Sequence, residues 1–202
     1  GKWQLAFSGL GFSASDQGAT ATGTGQIGGA TFFAGDTLVS DLSYQSFDLT
    51  VSYRLAHRRS DLNSYGVPKA QGGIDLVGGL RFHHADFDVR VRPGVAPLVH
   101  TPSSADADEL FAEPVIGLRG EAQFGRSFGI DVESLVGGFS TGDRTSVSFS
   151  IDAGFVYRPI HWVGLRIGYH LLVFDLHNGD GADEFNWRGS MAGLYWGAQL
   201  SF

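Results

Sequence analysis

Residues 193–202 read GLYWGAQLSF, and they alternate between two kinds of side chain. The even-numbered positions are apolar and end on Phe202, whereas the odd-numbered positions are small or polar apart from Tyr195. In an extended strand these two sets fall on opposite faces. A terminal strand of about ten residues with one lipid-compatible face and a closing aromatic residue is typical of β-barrels that cross a bacterial outer membrane.

The composition favours a β protein and excludes membrane-spanning helices. Of the 202 residues 43% are hydrophobic, yet no apolar run approaches the roughly 20 residues that a spanning helix needs. Thirty glycines and 13% aromatic residues suit strands joined by tight bends. The absence of cysteine excludes disulfides, thiolate zinc sites and cysteine nucleophiles, and the net charge of −7 argues against nucleic-acid binding.

Period-two alternation recurs along most of the chain and predicts eight antiparallel strands. Each segment places apolar residues on one face and charged residues, serine or glycine on the other. The predicted strands are residues 2–13, 42–57, 74–91, 110–124, 128–139, 145–158, 162–176 and a last strand that begins at Phe185.

Two of these segments contain an irregularity. After His84 the alternation changes phase, so that Ala85, Phe87 and Val89 become the apolar set, which predicts either a β-bulge or the exit of the strand from a membrane. Pro114 lies within the fourth segment, and it predicts a local pairing defect because proline cannot donate to a ladder.

The connections between the segments alternate in length. Residues 125–127 and 159–161 form tight turns at one end, whereas 14–41, 92–109 and 177–184 form longer polar connections at the other. The connection 141–144 lies at the same end as the long ones but is short. In outer-membrane barrels the long loops are extracellular and the short turns are periplasmic. The long connection 58–73 breaks this rule, and its role stays open. The first long loop has room for an additional hairpin, which would make ten strands.

Charge differs between the two ends of the predicted barrel. The proposed outer loops carry Asp16, Asp106, Asp108, Glu109, Asp143, Asp180, Asp183 and Glu184, and the proposed turns carry Arg58, Arg59, Lys69 and Arg126. Such carboxylates can hold divalent cations that bridge lipopolysaccharide, although solvated polar loops are the simpler explanation of them. We therefore expect outer-membrane lipids and lipopolysaccharide as partners and no nucleic acid, and leave other envelope proteins or further copies of the chain open.

Acids and bases nearly balance on the polar face of the strands. This set is Asp48, Asp75, Glu113, Glu121, Asp131, Glu133 and Asp152 with Arg54, Arg81, Arg119, Arg158 and Arg166, plus His83 and His170. Side chains just fill the interior of an eight-stranded barrel, so this balance predicts ion pairs in place of an open pore. A soluble ligand-binding barrel would put the apolar face inside, but the terminal aromatic strand and the aromatics near strand ends favour the membrane arrangement.

The sequence offers little for catalysis. Ser148, Ser150 and His170 lie on the polar side of adjacent predicted strands, where small outer-membrane acyl-transfer enzymes use serine and histidine. Serine that simply fills a narrow interior explains these residues as well. We therefore predict no catalytic residue, no metal site and no cofactor.

Five short segments occur in the order of successive strands: GGLRF (78–82), EPVIGLRG (113–120), VGGF (136–139), LRIGY (165–169) and the terminal GLYWGAQLSF. In these segments the C-terminal two-thirds of the chain resembles a family of small, mostly uncharacterised bacterial outer-membrane β-barrel proteins related in style to the OmpA and OmpX barrels. The resemblance implies location and fold, with Arg81, Arg119 and Arg166 as interior pairing residues. It supplies no catalytic residues.

These observations predict a single domain over residues 1–202. We expect a transmembrane, up-and-down antiparallel β-barrel of eight strands in the bacterial outer membrane, with a structural or interaction role through its acidic loops and no enzymatic activity. A lipid-modifying outer-membrane enzyme or a narrow, porin-like solute channel is the alternative.

Overall fold

The fold is all-β. A computed structural model describes residues 2–27, 30–61, 69–94, 103–125, 127–160, 163–179 and 185–200. Strands account for 89% of the structure, and the described part contains no helix. Accordingly, no helix in these ranges has the length and apolar character needed to span a membrane.

Ten strands are described. They are β1 (Trp3–Thr20), β2 (Gly25–Ile27), β3 (Ala30–Phe32), β4 (Thr37–Arg59), β5 (Ala70–Arg92), β6 (Ser103–Phe124), β7 (Phe128–Thr141), β8 (Arg144–Ile160), β9 (Val163–Asn178) and β10 (Phe185–Leu200).

Eight of these strands form one antiparallel sheet in the order β1-β4-β5-β6-β7-β8-β9-β10. The sheet curls into a half-barrel. The predicted eight strands and their up-and-down order are confirmed. The hairpin hidden in the first long loop is also present, but β2 and β3 form a separate sheet, so ten strands in one barrel is wrong. Among the described residues β1 pairs only with β4 and β10 only with β9, which leaves the half-barrel with two free edges.

The strands extend further than the alternation predicts. At the long-loop end β1 continues to Thr20 and β6 begins at Ser103. At the turn end β4 reaches Arg59 and β5 begins at Ala70, so part of the unexplained connection 58–73 is paired strand, while residues 62–68 lie outside the described ranges. Backbone hydrogen bonds continue these ladders wherever a partner strand is available, whatever the side chains.

The phase change after His84 occurs without a bulge. The register of β4 against β5 is regular from Thr37 to Arg54, which spans this region, so a bulge there is wrong. The irregularity in this pair lies between Arg54 and Ala56, where Leu55 is the extra residue. Downstream of it Ala56 lies opposite Ile74.

Pro114 marks the end of one ladder. The pairing of β6 with β7 begins at Val115, the next residue, whereas the pairing of β6 with β5 continues through Pro114. Because proline has no N–H to donate, it can occupy a strand position that lacks a partner on one side. The predicted pairing defect is therefore present as the end of the β6–β7 ladder.

Away from the long-loop end the outward face of the sheet is apolar, and its exposure is greatest at the two free edges. Phe7 on β1 is 72% exposed and Trp196 on β10 is 87% exposed, compared with 45% for Leu80 on the central strand β5. A side chain in the middle of a sheet is partly covered by neighbours on both flanking strands, whereas an edge side chain lacks one of them. The greater exposure of Phe7 and Trp196 therefore follows from the pairing of β1 and β10 on one side only in the described structure.

The β2–β3 hairpin lies over the long-loop end of the sheet, where β3 contacts β5 and β6. Asp36, which is 3% exposed, accepts hydrogen bonds from the backbone N–H groups of Phe33 at 2.8 Å and Gly94 at 3.0 Å. Ala30 in the hairpin is fully buried. The first long loop is thus a packed element that is tied to the strand ends.

Candidate functional site

The concave face of the sheet carries a buried polar layer. Arg81 on β5 is 1% exposed and Glu113 on β6 is fully buried. Ser146, Ser148 and Ser150 point into the same layer, because they occupy alternate positions of β8. β8 lies three strands from β5 in the sheet order, so side chains from these strands meet only because the sheet curls.

Arg81 connects three strands of this layer. Its guanidinium holds both carboxylate oxygens of Asp48 on β4, at 2.7 and 2.8 Å, in a bidentate pair. Its terminal nitrogens also donate to Ser148 Oγ at 2.8 Å and Ser150 Oγ at 2.9 Å. These four hydrogen bonds use most of the five guanidinium donors, which allows the charge to remain buried.

Glu113 is the acceptor at the centre of a second group. Ser146 Oγ donates to it at 2.7 Å, Ser148 Oγ also donates to it, and His83 Nε2 lies 3.2 Å from it. The other ring nitrogen of His83 lies 2.5 Å from Tyr44 Oη. Tyr44, His83 and Glu113 are all fully buried. The arrangement therefore leaves none of these three groups open to a solvent-borne substrate.

Arg166 on β9 organises the polar layer near the last strand. It pairs with Asp131 on β7 and with Asp152 on β8. Asp152 also lies 3.3 Å from His170 Nδ1 and accepts a hydrogen bond from Tyr195 Oη at 2.8 Å. The guanidinium lies 5.0 Å from the centre of the Tyr195 ring, within the range of a cation–π contact. β10 is therefore attached to β8 through the side chain of Tyr195 as well as to β9 through its ladder.

Two further groups lie nearer the short turns. Arg54 pairs with Asp75 and, at 2.7 Å, with Glu121, while Arg119 pairs with Glu133 at 2.5 Å. The ion pairing predicted for the polar face, including that of Arg81, Arg119 and Arg166, is confirmed. Removal of one member of such a buried pair typically costs about 3–5 kcal/mol, because the other charge is left without compensation.

Above the ion pairs, toward the long loops, the concave face is apolar. Tyr44 stacks on Phe174 with ring centres 4.8 Å apart, and Trp187 meets Phe174 edge-on at 4.8 Å. Buried around them are Ala85, Phe111, Leu172 and Leu176. The prediction that ion pairs fill the interior is therefore wrong at this end, where aromatic and aliphatic side chains fill the space. The phase change at Ala85 was the sequence signal for this inversion.

The outward face becomes polar at the same height. Asp41, Asp88 and Asp106 lie directly opposite one another on β4, β5 and β6, and Asp86 lies opposite Asp108. Like charges at such positions destabilise a sheet, and here Arg90, at 2.8 Å from Asp88, offsets part of the charge. His84 Nε2 lies 2.7 Å from Asp108 Oδ1. The acidic surface expected of the loops thus continues down the outer face of the strands. Within the described ranges no group of three His, Asp or Glu side chains could hold a metal ion.

The serines and histidine considered for catalysis do not form one site. Ser148 and Ser150 bind Arg81, and Ser148 also binds Glu113. His170 instead lies beside Asp152. Sequence reasoning missed Tyr44 and the aromatic cluster around it, because alternation does not indicate which inward residues of distant strands meet.

Comparisons with known proteins give no relative for this chain: no family model, no curated protein and no solved structure matches it. The function must therefore be argued from the residues and the fold.

Proposed function

We propose that this chain is an integral outer-membrane β-barrel with a structural or interaction role, presented through its acidic long-loop end. The observation that carries the proposal is the difference in polarity between the two faces of the sheet. The convex face is an exposed apolar band, whereas the concave face at the same height is a set of satisfied ion pairs. Water favours the opposite arrangement, and a bilayer with a narrow barrel interior favours this one.

The position of the apolar band along the strands supports a tilted barrel. A single rung of directly opposed residues runs through Leu5, Val51, Gly78, Ile116, Val136, Phe149, Val173 and Ser190. On β1 the rung residue, Leu5, lies in the middle of the exposed apolar residues Trp3, Leu5 and Phe7. On β10 the exposed apolar residues Leu194 and Trp196 instead lie four and six residues from the rung residue Ser190, toward the turns. Such a drift of the lipid-facing band is what strand tilt in a barrel produces.

The tilt also fixes how β1 and β10 would pair. An eight-stranded barrel with strands tilted by 35–45° closes with a displacement of about ten residues along the strand. Applied to the rung above, this displacement brings Ser190 opposite Ser15. Trp196 then lies opposite Gly9 and Leu194 opposite Gly11, so that the bulky outward residues of one edge meet the glycines of the other. Closure also satisfies the backbone groups of both edges, which lipid cannot do.

Closure can be tested by an engineered disulfide, because the chain contains no cysteine. We expect the pair Gly11→Cys and Leu194→Cys to oxidise within one chain, since directly opposed strand residues fall within disulfide distance. The readout is non-reducing electrophoresis of protein folded in lipid vesicles. The matched control pairs Leu10→Cys with Leu194→Cys, which lie on opposite faces. Cross-linked dimers in place of monomers, or equal oxidation of the control, would contradict closure.

The buried ion pairs distinguish a filled barrel from the channel alternative. Because Arg81 and Arg166 each join strands across the concave face, we expect planar-bilayer recordings of the wild-type protein to show little or no conductance. A mock preparation from cells without the protein is the control. Large, stable currents absent from that control would contradict the filled interior and favour a solute channel.

A further inference from the structure

The convex face contains a groove near the short turns. Its volume is about 530 Å³, and it crosses β4, β5, β6 and β7. Its lining includes two outward rungs of opposed residues, one running from Arg58 through Gly72 and Ala122 to Ile130, and one from Ala56 through Ile74 and Gly120 to Val132. Small residues form the floor, and branched aliphatic side chains form the sides. The groove therefore has a shape and polarity that suit the binding of a hydrocarbon chain.

Arg58, a cationic residue, lies at the turn end of this groove. The bulge at Leu55 places Arg58 on the outward face opposite Gly72; a strand without the bulge would turn it inward. Arg58 is exposed, and it makes no ion pair with any described residue. Lys69, also exposed, lies three residues before Gly72 on the neighbouring strand, so its Cα is about 10 Å further toward the turns. The backbone carbonyl of Asp61 accepts the Lys69 backbone N–H at 3.1 Å. Two carboxylates, Glu121 and Asp131, also lie among the groove residues, and they pair with Arg54 and Arg166 on the concave face.

We infer that this groove binds one anionic glycerophospholipid, with an acyl chain over Gly120 and the phosphate at Arg58. The inference rests on the proposed membrane location. The combination of an apolar groove with an exposed guanidinium at its turn end suits this class of molecule. A second copy of the chain fits less well, because copies inserted in the same orientation would bring their cationic turn ends to the same height.

The test uses folded protein in a neutral detergent, titrated with dioleoylphosphatidylglycerol or dioleoylphosphatidylcholine and analysed by native mass spectrometry. We expect one phosphatidylglycerol to bind about fivefold more tightly than phosphatidylcholine. Arg58→Gln should abolish this preference. Gly120→Leu should weaken the binding of both lipids by filling the groove, and a Cβ at Gly120 meets no atom within 4 Å, so the new side chain begins in open space.

Two control variants match these changes elsewhere. Gly138→Leu adds the same side chain at another outward glycine, where a Cβ has only an ordinary contact at 3.9 Å with the Ser146 carbonyl. Lys2→Gln removes one exposed cation just before β1, also at the turn end of the sheet. Both should bind lipid as the wild type does. Equal binding of the two lipids, or no effect of Arg58→Gln and Gly120→Leu, would overturn the site. Failure of the wild-type protein to insert into vesicles would instead overturn the proposed function, and the lipid site with it.

Discussion

Replacement of Arg81 by methionine is expected to lower the free energy of unfolding by about 3–5 kcal/mol. Arg81 is 1% exposed, and its removal leaves the Asp48 carboxylate without its ion-pair partner. The substitution also removes the N–H groups that donate to Ser148 Oγ and Ser150 Oγ. The measurement is the urea dependence of tryptophan fluorescence for protein folded in lipid vesicles.

Two comparisons give this prediction its meaning. Arg144→Met removes an arginine whose pair with Glu109 is partly exposed, at 2.8 Å, and should cost less than about 1 kcal/mol. Adding Asp48→Asn to Arg81→Met removes the stranded charge and should recover part of the loss. If Arg81→Met costs no more than Arg144→Met, the ion pairs do not hold the concave face together.

The second large effect concerns the convex face. Ile167 on β9 is 63% exposed and lies opposite Phe155 and Trp196. In a bilayer, arginine at this position should cost about 2–4 kcal/mol, because a charge near the midplane must be taken out of water. The same urea titration in vesicles measures the loss.

A matched substitution lies outside the apolar band. Asn186 on β10 is exposed at the long-loop end, and Asn186→Arg should change the free energy of unfolding by no more than about 1 kcal/mol. If Ile167→Arg and Asn186→Arg have equal, small effects, Ile167 faces water and the membrane assignment fails.

Alternation predicts those parts of the fold where one face must be apolar. The turn between Phe124 and Phe128 and the start of β10 at Phe185 lie where the sequence places them. The strand segments around Ser103 and Thr20 carry no such pattern, because backbone pairing beyond the apolar band makes no demand on side-chain polarity. Their length could not be predicted for that reason.

The candidate site was predictable in kind but not in detail. A near balance of acids and arginines indicates ion pairs, yet the partner of each arginine depends on strand register and curvature. Arg119 lies opposite both Asp75 and Glu133, and it pairs with Glu133. Only the curl of the sheet brings Ser148 to Arg81, since these residues lie three strands apart. The bulge at Leu55, which turns Arg58 outward, also has no clear signal in the sequence.

The central claim is that the convex apolar band contacts lipid, and single-cysteine labelling tests it most directly. A fluorescent label is attached at Leu80→Cys, at Ile167→Cys or at Asp86→Cys, the last lying six residues beyond Leu80 on β5 at the exposed long-loop end. In vesicles, nitroxide groups on the lipid chains should quench the labels at 80 and 167, while aqueous iodide should quench the label at 86. Iodide quenching of all three labels without lipid quenching would contradict the account.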